Sequence, residues 1–203
     1  MNSSLRIDWC SHDAAVYACQ HWHYSRTISS GASVKVGVWE DEKFKGAIIF
    51  AMGASPQIGK PYKLAQENVC ELTRIALRAH TCPVSRALSI AIKKLKQTCP
   101  GLRLIVSYAD VDQDHLGIIY QAGNWIYTGV TAAGKGMSYI IDGKKIHNRT
   151  LQGELGANLS LPGIRKTYPN AEDFISLGKR KYLMPLDKGM RRQIESLALP
   201  YPK

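Results

Sequence analysis

The sequence predicts a mixed α/β fold, a central sheet with flanking helices, and three observations carry the prediction. Leu104, Ile105 and Val106 form an apolar run between Gly101 and Asp110, the pattern of a strand buried on both faces. Period-two runs recur at residues 34–39 and 68–77, and stretches between and after them repeat apolar residues at three and four, so strands and helices alternate. At 203 residues, 45% hydrophobic and 21% charged, the chain is globular and large enough to bury a core as one domain, 1–203.

In chain order, Ser11 and Asp13 open a helix over 14–22, apolar at Ala15, Val16, Cys19 and Trp22. Its end carries His21, His23 and Tyr24. Residues two apart on a helix diverge, so the two histidines suit a metal only on extended backbone and otherwise are helix-end or substrate-facing aromatics. Val34–Trp39, the polar turn Glu40–Lys43 and Lys45–Phe50 make a β-hairpin. Gly53–Tyr62 is a Gly/Pro loop that matches no phosphate-binding pattern and reads as flexible surface or a lid.

In the run 68–77 a regular pleat puts Glu71 on one face with Val69, Thr73, Ile75 and Leu77, and Arg74 on the other with Cys70, Leu72 and Ala76. A carboxylate inside a sheet is costly to bury alone, so Glu71 is either an active-site group or half of an internal ion pair. After the turn at His80–Pro83 comes a helix with proline in its first turn and a buried stripe of Val84, Leu88, Ala91, Ile92 and Leu95. A helix start directly after a central strand offers amides to an anion, and Ser85 and Arg86 are placed to join them; Ser85 reads equally as a cap.

Beyond the buried strand, the acidic turn Asp110–Asp114 supplies caps or first-turn residues to a short helix with Leu116, Ile119 and Tyr120 on its apolar side, stopped by Gly123 and Asn124. Trp125–Thr128 resumes a strand. Asp110, at a strand end where α/β sites collect, reads as a general base or a cap, and Tyr120 on its own spacing as a core aromatic. Met137–Ile141 with Asp142 and Gly143 signals a hairpin, a polar stretch with Gly153, Gly156, Pro162 and Gly163 follows, and Lys179–Pro185 reads as a closing edge strand.

With 27 Lys+Arg against 16 Asp+Glu the net charge is +11, and residues 129–203, with 13 basic and 6 acidic, hold +7 of it. Such a field attracts polyanions, so residues 130–203 read as a basic extension of the same domain. RNA, an anionic membrane or a phosphorylated cofactor could use the same charge. No apolar run nears the roughly 18 residues a membrane helix needs, and the first residues lack a signal-peptide core, so a cytoplasmic protein without membrane association is expected. Five widely spaced cysteines with no C-x-x-C pair indicate neither a disulfide framework nor a zinc ribbon.

Ile119-Tyr120 with Gly123 and Trp125 resembles the Leu-Tyr-x-x-x-Gly-Phe signature of the GNAT acyltransferases. That resemblance implies a strand splayed from its neighbour to form a cleft for an acyl thioester such as acetyl-coenzyme A, and a tyrosine that protonates the departing thiolate. At the helix start after the central strand the superfamily carries a glycine loop that grips the coenzyme's pyrophosphate. Cys82-Pro-Val-Ser-Arg86 lacks that glycine, which counts against ordinary acetyl-coenzyme A binding.

Over 23–129, the runs Cys70–Leu77, Pro83–Ser89, Leu104–Asp110 and Ile119–Gly129 resemble the Mom family of phage DNA-modification proteins, with a weaker echo at 179–186. The resemblance implies double-stranded DNA as partner and conversion of adenine at N6 to a carbamoylmethyl derivative that shields phage DNA from host restriction. It places the reactive site around a serine, an aspartate and a tyrosine matching Ser85, Asp110 and Tyr120, with iron as a proposed cofactor. Adenine N6 is a weak nucleophile, so Asp110 would serve as base and Tyr120 as acid, with Glu71 in the same cleft and the base flipped out of the duplex. Iron would draw on His21 or His23, Glu71, Asp110 and His115, with His23 favoured beside Tyr24. Lys144, Lys145, Lys179, Arg180 and Lys181 would meet DNA phosphates. Competing readings are a conventional N-acyltransferase acting on a protein or small amine and a non-catalytic DNA-binding protein of the same fold.

Overall fold

The computed structural model describes residues 4–29, 31, 33–53, 55–157 and 159–203, with backbone alone at 136 and 137. The chain groups into two compact units, one made of the chain up to Ala109 with Gly117–Gly129 and Lys181–Lys203, the other of Asp110–Leu116 and Val130–Arg180.

The first unit is built on a mixed sheet. Strand β1 (Leu5–Trp9) leads to helix α1 (His12–Trp22), whose N-cap Ser11 accepts from Ala14 N–H at 3.2 Å. Strands β2 (Ser33–Glu40) and β3 (Lys43–Ala51) form the expected hairpin. Its two turn residues, Asp41 and Glu42, both have positive φ, as a tight hairpin turn demands. Strand β4 (Val69–Leu77) pairs antiparallel with β3, and after α2 (Val84–Thr98) strand β5 (Leu104–Asp110) pairs parallel with β4. Then come α3 (Ile118–Ala122) and β6 (Ile126–Val130).

The second unit contains β7 (Gly134–Ile141), β8 (Lys144–His147), α4 (Asn148–Leu155), α5 (Leu161–Ile164) and β9 (Glu172–Ser176). Its three strands run β8-β7-β9 over a core of Tyr139, Ile141, Leu151, Ile164 and Ala171. The polar stretch around Gly153 and Pro162 therefore holds two short helices, which its low hydrophobicity concealed. Strand β10 (Lys179–Pro185) and α6 (Lys188–Ile194) return the chain to the main sheet.

Strand order in the main sheet is β1-β2-β3-β4-β5-β10-β6. Strand β10 is thus interior, and the edge-strand expectation is overturned. Tyr182 and Leu183 are both fully buried, and they pack into the two different cores on either side of the sheet. Strand β5 behaves as its sequence predicts. Ile105 faces the core that holds Leu88, Ala91 and Leu95 of α2, while Leu104 and Val106 face the core closed by Met190 and Ile194 of α6. Residues 55–62 are tied down rather than lid-like, since Tyr62 is buried in that second core and Ile58 packs against it.

Candidate active site

The parallel pairing of β4 with β5 runs Val69↔Leu104, Cys70↔Ile105, Glu71↔Val106, Leu72↔Ser107, and there it stops. Strand β4 continues to Leu77 and β5 to Asp110, so the strands part beyond Leu72 and Ser107. On its other side β4 carries a bulge at the same level: Phe50 pairs with Leu72 and Ile49 with Arg74, which leaves Thr73 as the extra residue. The bulge resets the pleat, and Cys70, Leu72, Ile75 and Leu77 all join the core against α2. The strictly alternating pattern is therefore wrong past Leu72, and Glu71 and Arg74 fall on the same side of the strand.

Three groups meet where the strands part. Ser107, fully buried, donates its hydroxyl to Leu72 C=O at 2.9 Å and lies 2.9 Å from the Tyr120 hydroxyl. A serine hydroxyl has one proton and the carbonyl can only accept, so in this arrangement the phenol is the donor to Ser107 Oγ. The Tyr120 ring is held by Trp125 and Tyr182, each centroid 5.0 Å away. Gly117, at φ +76°, opens α3, and a Cβ there would fall 2.4 Å from the Tyr182 ring, so this cap has to be glycine. At the other end the left-handed residue is Asn124, at φ +58°, rather than Gly123.

Burial pushes the Tyr120 phenol up to about 12, reinforced by Tyr24, Tyr182 and Glu71. At neutral pH it is a protonated donor. Glu71 is half-buried, and its charge also raises the phenol of Tyr108, behind the larger effect of burial. Gly53 leaves it room, because a Cβ at that glycine would stand 3.3 Å from Glu71 Oε2. Tyr24 is 50% exposed with its ring 4.4 Å from that of His23, and Ser25 N–H donates to His23 Nδ1 at 3.1 Å, which puts the proton of the neutral imidazole on Nε2.

The sequence-predicted site residues separate into groups. Tyr120 and Glu71 belong with the splay. Ser85 is half-buried in the first turn of α2 and Arg86 is exposed. The turn before that helix is already filled: Glu40, 3% exposed, accepts from Thr81 N–H at 2.9 Å by each oxygen and from Cys82 N–H at 2.6 Å. These bonds hold its carboxyl below the ordinary range, the bond from Cys82 contributing most. Coenzyme A gripped by its pyrophosphate does not fit this turn.

Asp110 ends β5, and its Oδ1 accepts from Asp112 N–H at 3.0 Å, capping the single turn Val111–Gln113. The acidic turn thus caps itself and not α3, because Gly117 intervenes. Among the described residues no three His, Cys, Asp or Glu side chains gather to hold a metal, so the iron set of His23, Glu71, Asp110 and His115 is not assembled.

The cations proposed for DNA also divide. Lys144 and Lys179 are exposed, whereas Lys145 is paired with Asp112 at 3.0 Å and covers the Phe174 ring at 3.7 Å. Arg180 donates to His115 C=O at 2.9 Å, and Lys181 Nζ lies 5.9 Å from the Tyr62 ring centroid. The second unit carries 8 basic and 7 acidic residues, leaving 19 basic against 9 acidic in the first, so the positive charge belongs to the first unit and not to the C-terminal third as a block. Ser107 and Glu40 escaped the sequence reading. Their signals were a lone hydroxyl in an otherwise apolar strand and a carboxylate at the last position of a strand.

A bulged central strand, a parallel neighbour that parts from it and a buried tyrosine on the following helix define the acyltransferase fold. Solved structures share it: one described as an acetyltransferase from Acinetobacter baylyi ADP1 (TM-score 0.52, 11% identity, covering 92% of this chain and 94% of that one) and FeeM, an N-acyl amino acid synthase from uncultured soil microbes (TM-score 0.52, 10% identity, 97% and 98%). The chain matches the Mom protein family over residues 4–203 and belongs to it. It is 25% identical over 213 residues to the methylcarbamoylase Mom of Escherichia phage Mu, covering 100% of this chain and 85% of that protein. No helix among the described residues is long and apolar enough to cross a membrane.

Proposed function

We propose that this protein is a transferase that modifies phage DNA, placing a carbamoylmethyl group on adenine N6 and so protecting that DNA from restriction. The observation that carries the reading is the buried Tyr120–Ser107–Leu72 chain at the point where β4 and β5 part. It is supported by membership of the Mom family and by the methylcarbamoylase name of the phage Mu relative. In the reaction a bond forms from N6 to the donor's methylene carbon as that carbon's bond to its leaving group breaks. The N6 proton passes to a base, assigned to Asp110 on the family resemblance, and Tyr120 gives its proton to the leaving group. With its proton resting on Ser107, the phenol is aimed before the donor arrives, and burial keeps it protonated throughout the physiological range. Double-stranded DNA is the partner, its phosphates met by exposed cations that include Lys188 and Arg192 as well as Lys144 and Lys179, with the adenine flipped out to be reached.

The test is mass spectrometry of nucleosides from DNA of cells making the wild-type protein. Carbamoylmethyl-deoxyadenosine whose fragments carry the group on N6 is expected. Unmodified deoxyadenosine from cells with abundant soluble protein would refute the assignment.

A further inference from the structure

We infer that Glu40 closes the phosphate-gripping turn of this acyltransferase fold, so that the group donor is one held without a pyrophosphate at that turn. The inference rests on the reading of the protein as a transferase of this fold and narrows its donor. Anions settle at such a turn because several backbone N–H groups converge there with the positive end of a helix. Here two of the turn's amides are taken and a third position has none. Thr81 N–H meets both Glu40 oxygens at 2.9 Å, Cys82 N–H meets Oε1 at 2.6 Å, and Pro83 has no N–H to give.

The carboxylate is not a casual occupant. It is 3% exposed, anchored on the last residue of β2, and the turn it fills is tied to β3 by Arg78 N–H to Lys45 C=O at 2.8 Å and Lys45 Nζ to Ala79 C=O at 2.7 Å. A diphosphate brought to these amides would have to evict a buried carboxylate or sit beside it as a like charge, and either is strongly unfavourable. The splay between β4 and β5 is untouched by this closure. A donor arm can enter there, provided that it passes the turn uncharged.

Calorimetry on the full-length protein compares coenzyme A with pantetheine, which share the arm and differ in the nucleotide diphosphate. In the wild type coenzyme A is expected to bind no more than about twofold better than pantetheine, absence of measurable binding by either included; a preference of about tenfold or more overturns the inference. In Glu40→Ala the preference for coenzyme A is expected to rise by about tenfold, as the vacated amides accept a phosphate. A folded Glu40→Ala protein with the wild-type ratio overturns the role given to Glu40, and if that variant does not fold the wild-type ratio still decides. Neither arm reads DNA modification, so failure of the adenine assignment would leave this result standing, and the converse.

Discussion

At the scale of the residue, Ser107 and Tyr120 do different things through one hydrogen bond. Tyr120 carries the proton; Ser107, bound to Leu72 C=O, decides where that proton rests. Ser107→Ala removes the acceptor without touching the ring. It is expected to cost about 1–3 kcal/mol of stability, the usual penalty for stranding a buried polar partner. It should also lower turnover less than loss of the phenol does, and move the alkaline limb of the pH profile downward, since an acceptor for the phenol's proton favours its protonated form. Chemical denaturation and a pH–rate profile check both, and an unmoved alkaline limb would leave Ser107 with a purely structural role. Tyr120 was legible because an aromatic at helical spacing followed by a glycine is a local pattern. Ser107 was not, because one hydroxyl in an apolar strand looks the same whether it binds only a carbonyl or a buried phenol as well.

At the scale of the element, the strands that a local pattern could define were read correctly, and the features that depend on a neighbour were not. The bulge at Thr73 has no sequence mark of its own, because one extra residue is visible only against β3. Strand β10 has charged residues at its start and a proline at its end, which is how an edge strand protects itself, yet it lies between β5 and β6. Helix α6 shows what a local signal does supply. Asp187 accepts from Met190 N–H at 2.7 Å as its N-cap and pairs with Arg103 at 2.9 and 3.1 Å. Asp187→Ala should destabilise the protein by about 1–2 kcal/mol through the lost cap, with Met190 and Ile194 loosened from their core. Arg103, the largest influence, lowers the Asp187 carboxyl to about 2. A depressed carboxylate stabilises above its unfolded value near 4 and loses that contribution as pH falls toward 2. Acid titration of wild type and Asp187→Ala should therefore converge below about pH 2, and a difference that persists there would mean that the cap works without its charge.

At the scale of the whole molecule, the positive charge and Tyr120 belong to the same unit. The surplus of 19 basic over 9 acidic residues lies in the unit that contains Tyr120, and only a near-neutral balance lies in the other. A count along the chain concealed this because the C-terminal third is shared between the units. Duplex DNA affinity should fall steeply with salt, and reversing Lys188 and Arg192 to glutamate should flatten the slope by about one for each phosphate no longer neutralised. Reversing Lys145 should instead loosen the second unit, because its ammonium holds Asp112, and Asp112 also holds Ser176 and Leu177. Filter binding across a salt series separates these outcomes, and a steeper loss from Lys145→Glu than from the first pair would move the DNA surface.

The central claim is that the parting of β4 and β5 at Tyr120 is where the group is transferred, and Tyr120→Phe tests it most directly. The substitution removes one oxygen from a ring held on two sides by Trp125 and Tyr182, so the fold should survive. Nucleoside mass spectrometry of DNA from cells making equal soluble amounts of wild type and Tyr120→Phe is the measurement. Modified adenine is expected to fall by about a hundredfold or more in the variant, in line with loss of a general acid. A near-normal yield of modified adenine from Tyr120→Phe would contradict it and leave Tyr120 a core aromatic.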